Sequence, residues 1–94
     1  MNDRITTITE LKEIVEDFVN ERDWSQFHNP KNLSMALAIE ACELMDIFKW
    51  NTTQECEIMM SEKNTRQDAT DELADIIIYA LAFSNRTISI FLAL

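Results

Sequence analysis

From Leu33 to Trp50 the chain reads LSMALAIEACELMDIFKW, with apolar residues on every side of a helical wheel. A segment without a polar face predicts a buried helix. Further helices follow from the periodicity on either side of it. Ile8, Leu11, Ile14, Val15, Phe18 and Val19 recur at helical spacing, with Lys12, Glu13, Glu16 and Asp17 opposite them. Thr7 and Glu10 form a capping-box signature at the start of this first helix. It ends near residues 21–23. Thr52 and Glu55 repeat the signature before a short segment running to about Met60. Ser61 to Thr65 is a polar link. A last helix is predicted from about Arg66 to Asn85, with Leu73, Ile76, Ile77, Ala80 and Phe83 facing inward. Beyond it, ISIFLAL (88–94) is apolar and uncharged, and needs cover from the same domain or a partner.

The connection RDWSQFHNPKN (22–32) has unusual content for a loop. Trp24, Phe27 and His28 either close the end of a core or line a site. Pro30 biases Asn29 away from helical geometry. Asn32, beside Lys31, is the expected N-cap of the apolar helix.

Composition narrows the fold. The 94 residues include no glycine and one proline, and 47% are hydrophobic. That predicts a single all-α domain over 1–94, built like a four-helix bundle. A subunit this small gains stability by oligomerising. The net charge of −9 argues against nucleic acid and anionic membranes as partners, and favours divalent cations wherever carboxylates converge. Cys42 is expected to be a small core residue, and Cys42 with Cys56 gives no disulfide framework or zinc pattern. The acidic, amphipathic start does not read as a signal peptide. The apolar run Ile76 to Phe83 is too short to span a bilayer. A reducing cytoplasm is the expected location.

Two acidic pairs interrupt the apolar helices. Glu40 and Glu43 are three residues apart, and so are Glu72 and Asp75. Each pair therefore shares one helix face. Trp50 continues the first stripe seven residues beyond Glu43, and Tyr79 follows Asp75 by four. Carboxylates in apolar surroundings need a counter-charge. Two facing helices can supply four oxygen ligands to Mg²⁺ or Mn²⁺, which in turn suits a polyphosphate substrate. Three other readings compete. The pairs can be solvated faces. A di-iron bundle would want Glu-x-x-His from two helices, whereas the one histidine, His28, lies in a loop. An acidic interaction module without chemistry explains the charge but not the acids inside the most apolar helix.

The stretches ERDWSQFHNPKNLSMALAIEACELMDIFKW (21–50) and DELADIIIY (71–79) resemble the MazG-type all-α nucleoside triphosphate pyrophosphohydrolases, in particular the small branch that includes dCTP pyrophosphatase. The likeness covers roughly Thr7 to Arg86. It implies that Glu40, Glu43, Glu72 and Asp75 hold Mg²⁺, and that Glu40 or Glu43 orients or deprotonates the attacking water. It implies that Trp24, His28, Trp50 and Tyr79 line a nucleotide pocket, with Lys31 and Asn32 serving the phosphates or the helix start. The implied reaction splits a (deoxy)nucleoside triphosphate between its α- and β-phosphates, cleansing the nucleotide pool in a homodimer or homotetramer. Relatives continue into a fuller, basic last helix, so a shortened last helix is expected here. The alternative expectation is a non-catalytic helical interaction or oligomerisation protein that keeps the fold.

Overall fold

A computed structural model describes residues 2–87, and the apolar run 88–94, with any shortening of a later helix, lies outside them. The order is α1 (Ile8–Glu21), a 3₁₀ turn (Ser25–Phe27), α2 (Pro30–Phe48), α3 (Thr53–Met59) and α4 (Lys63–Arg86). Among the described residues every regular element is helical. None of these helices is long and apolar enough to cross a membrane.

The helix ends show how the sequence sets these limits. The Thr7 hydroxyl accepts the Glu10 N–H at 3.1 Å and starts α1. The full reciprocal box is built at α3, where Thr52 accepts from the Glu55 N–H and the Glu55 carboxylate accepts the Thr52 N–H at 2.8 Å. At α2 the expected cap is corrected. Asn29, not Asn32, is the N-cap, and its Oδ1 accepts the Asn32 N–H at 2.9 Å. Pro30 explains this: it holds Asn29 extended, as a cap must be, and itself fits the first helical position.

α1 stops without glycine. The Asp23 N–H donates to the Asn20 carbonyl and the Trp24 N–H to the Val19 carbonyl, with Asp23 at φ 55° between them. This two-bond stop normally uses a left-handed glycine, and Asp is among the few other residues that tolerate it.

α2 and α4 pack lengthwise and antiparallel, and α1 lies across the C-terminal half of α4. The core is Val15, Val19, Leu33, Leu81 and Ala82, flanked by Leu11, Tyr79 and Phe83. It sits at one end of the α2–α4 pair.

Two burial expectations are corrected. Within one chain α2 buries only Leu33; Met35 is 53% and Ile39 54% exposed, and Cys42 is exposed rather than in the core. On α4, Leu73 and Ile77 are about half exposed, while Ala69, Leu81, Ala82 and Ser84 are buried. The physical reason is the same for both. Each of these helices meets protein along one stripe, and too few elements exist in a single chain to cover the other side.

Candidate functional site

Midway along the α2–α4 seam, one carboxylate oxygen from each of Glu40, Glu43 and Glu72 lies within 4.8 Å of the other two. The i, i+3 spacing on α2 places Glu40 and Glu43 side by side, and the antiparallel α4 brings Glu72 opposite. Asp75, one turn further on, stands outside this tight group. It lines the adjoining cavity with Glu40, and its charge acts on Glu40.

The cluster is electrostatically unfinished. Oε2 of Glu40 and Oε2 of Glu72 are shielded from solvent and have no hydrogen-bond partner among the described residues. Two carboxylates can bond only through a proton on one of them. Accordingly, the hydrogen bond shared with Glu40, then desolvation and Glu43, push the Glu72 carboxyl up to about 7. The bond from Glu72 pulls Glu40 down, but desolvation and the charges of Glu43 and Asp75 outweigh it, and its net shift is upward. No lysine or arginine forms an ion pair with the three carboxylates among the described residues. This is a donor set suited to a hard divalent cation.

Beside the carboxylates lies a cavity of about 230 Å³ lined by Phe18, Trp24, His28, Tyr79, Glu40 and Asp75, among others. A second hollow of about 360 Å³ adjoins it and shares Trp24, His28 and Tyr79, adding Phe27 and Asn32. Trp24 reaches this wall because the stop of α1 turns the chain sharply. Its ring meets Phe18 edge-on with centroids 5.5 Å apart, and the Arg22 guanidinium covers the Phe18 ring at 3.7 Å. His28 closes the wall, its Nδ1 shielded and without a partner among the described residues. Burial, then the charge of Arg86, lowers its pKa against the opposing pull of Glu16.

The other expected residues fall differently. Asn32 lines the second hollow, and its Nδ2 donates to the Phe27 carbonyl at 3.0 Å. Lys31 is exposed on the first turn of α2 and lines neither hollow. Trp50 is 86% exposed, near the Lys49 ammonium at 5.3 Å from its ring, and also lines neither. The helical stripe predicted to include Trp50 ends with α2 at Phe48. Periodicity puts Phe18 on the core face of α1. The residue that turns it into a site residue is Trp24, six positions on, a tertiary contact that periodicity does not reveal.

No protein-family model matches the chain. Over 80 residues it is 36% identical to dCTP pyrophosphatase 1 from Bos taurus and from Homo sapiens, covering 85% of this chain and 47% of each relative. The chain thus spans about half the length of the curated relatives it matches. A crystal structure of a pyrophosphatase from Archaeoglobus fulgidus superposes with a TM-score of 0.82 at 28% identity, covering 99% of this chain and 86% of that one. The four helices, the facing acidic residues and these likenesses together make the chain similar to the all-α pyrophosphohydrolases of the MazG type, dCTP pyrophosphatase 1 among them.

Proposed function

We propose that this chain carries a Mg²⁺-dependent hydrolysis of nucleoside triphosphates, deoxynucleotides first among them, to the monophosphate and pyrophosphate. The observation that carries the reading is the convergence of three carboxylates, two with shielded and unpartnered oxygens, next to an aromatic cavity. Glu40, Glu43 and Glu72 would hold the ion, with Asp75 at its flank, and Mn²⁺ suits the same donors. A bound divalent ion supplies charge neutralisation for the triphosphate and acidifies a coordinated water.

The protein's own groups do the rest. Trp24, Tyr79 and His28 offer faces and an edge to the base, and the cavity walls exclude water from it. Glu40 or Glu43 orients the attacking water or takes its proton. Asn32 steadies the wall through the Phe27 carbonyl. Lys31, on the first turn of α2, is within the helix-start region that suits phosphate. Without a cation the acidic cluster repels the substrate, so binding and metal are coupled. The relatives' name makes dCTP the first substrate to try.

The exposed stripe Met35, Ile39 and Cys42 runs along the side of α2 away from α4 and supports a homodimer or homotetramer. Two free thiols fit a reducing compartment such as the cytoplasm. Nucleotide-pool cleansing is the role that follows from the reaction. A non-catalytic interaction protein would also use the stripe, but it gives the unpartnered carboxylates no purpose.

Product analysis with a panel of deoxy- and ribonucleoside triphosphates, with Mg²⁺ and with EDTA, tests the reading. Monophosphate and pyrophosphate, lost in EDTA, are expected. No turnover of any nucleotide by folded protein would sink it.

A further inference from the structure

Two consecutive side chains in the last turn of α4 reach back across the molecule. Asn85 Nδ2 donates to the Lys12 carbonyl on α1 at 3.0 Å, and Arg86 Nε donates to the His28 carbonyl at 3.0 Å. These bonds span 73 and 58 residues of sequence, respectively. They are unlike in what they hold. The Lys12 carbonyl belongs to a regular helix that already has its own ladder. The His28 carbonyl belongs to the short connection that carries Trp24 and His28 to the cavity wall. The neighbouring Phe27 carbonyl is held from the other side by Asn32 on α2. Successive carbonyls of the wall are thus pinned by two different helices, both at the C-terminal end of the 3₁₀ turn.

We propose that Arg86 is a positioning residue for the nucleotide wall: its Nε–H fixes the His28 carbonyl and so sets where the imidazole stands. The inference rests on the function proposed above. Its physical basis is that a charged donor makes a stronger bond to a carbonyl than a neutral one, and that Nε sits close to the guanidinium plane's stem, where only arginine places a donor. Trp24 is already fixed by the stop of α1 and by Phe18, whereas His28 follows a three-residue turn, so the bond from Arg86 bears on the imidazole. The carboxylates sit on α2 and α4 themselves and do not depend on this bond.

The test compares Arg86→Met, Arg86→Lys and Asn85→Ala in the full chain. With nucleotide and Mg²⁺, Arg86→Met is expected to raise KM about tenfold with kcat within about twofold, as for loss of a charged hydrogen bond that acts on binding alone. Arg86→Lys keeps the charge but lacks a donor at the Nε position, and is expected to match Arg86→Met. Asn85→Ala lowers the melting temperature without moving KM. The same proteins are followed by amide hydrogen exchange. Both Arg86 variants should exchange faster at residues 24–28, with the α2–α4 seam unchanged. Full rescue by lysine would overturn the proposal in favour of simple charge attraction. So would unchanged exchange at residues 24–28. If the parent turns over no nucleotide, the functional reading fails while the exchange result still decides whether Arg86 holds the wall.

Discussion

The α2–α4 seam has two halves made by the same pair of helices, and they behave in opposite ways. At one end Leu33, Leu81 and Ala82 are almost fully buried and pack with Val15 and Val19 of α1. At the middle, Glu40, Glu43 and Glu72 crowd together within 4.8 Å of one another. Burying a leucine stabilises by about 1.5–3 kcal/mol. Crowding carboxylates does the reverse until a cation or protons arrive. The fold is therefore held from its apolar end, and the acidic middle is tolerated because that end is secure. Stability and chemistry occupy separate stretches of one interface.

Substitutions at each half should separate these roles. The largest effect is expected in the acidic middle: Glu43→Gln or Glu72→Gln abolishes turnover while folding is kept, and the metal-free melting temperature rises. Activity at the parental level in either variant would break the division. At the apolar end, Leu33→Ala should cost about 2–5 kcal/mol in denaturant unfolding, as for deletion of a buried leucine. A loss below about 1 kcal/mol would mean that the core lies elsewhere. Trp24→Ala should weaken nucleotide binding by about 1–3 kcal/mol, measured by calorimetry. Trp50→Ala sharpens that result, because it touches neither hollow in one chain. A loss there requires a neighbouring subunit to bring Trp50 to the site.

The smallest effect concerns pH, and its sign follows from Glu72. Its folded-state pKa of about 7 lies above the ordinary value of 4.5, so the folded protein binds the extra proton between them. The metal-free protein is thus expected to lose stability as pH rises from about 4.5 through 7. Metal affinity should rise over the same range, because the ion displaces that proton. Thermal melts in EDTA, from pH 5 to 8, check the first part. A flat profile for Glu72→Gln would assign the slope to this carboxyl, and an equally steep one would assign it elsewhere.

Much of this was legible in the sequence, for identifiable reasons. Thr7 and Thr52 announce their helices because a cap is a local bond over three residues. Glu40 could be paired with Glu43, and Glu72 with Asp75, because helical spacing fixes which residues share a face. Tertiary facts were not available in the same way. The spacing gave Asp75 the same standing as Glu72, yet one turn of α4 separates it from the tight group. The spacing puts Trp50 on the stripe of Glu43, but α2 stops short of it. The all-round apolar character of α2 predicted burial, and a single chain has too few helices to provide it. Phe18 and Arg86 act through partners six and 58 residues away, and no local pattern marks such contacts.

Asp23 carries one further consequence. It occupies a left-handed position in a chain without glycine. Glycine there would relax the folded backbone, but it would also enlarge the set of conformations open to the denatured chain. The two effects oppose each other. The strain at the end of α1 is thus balanced by a more restricted unfolded ensemble, and that restriction extends along the whole glycine-free sequence. A protein with so small a core benefits from a denatured state that has less freedom to lose.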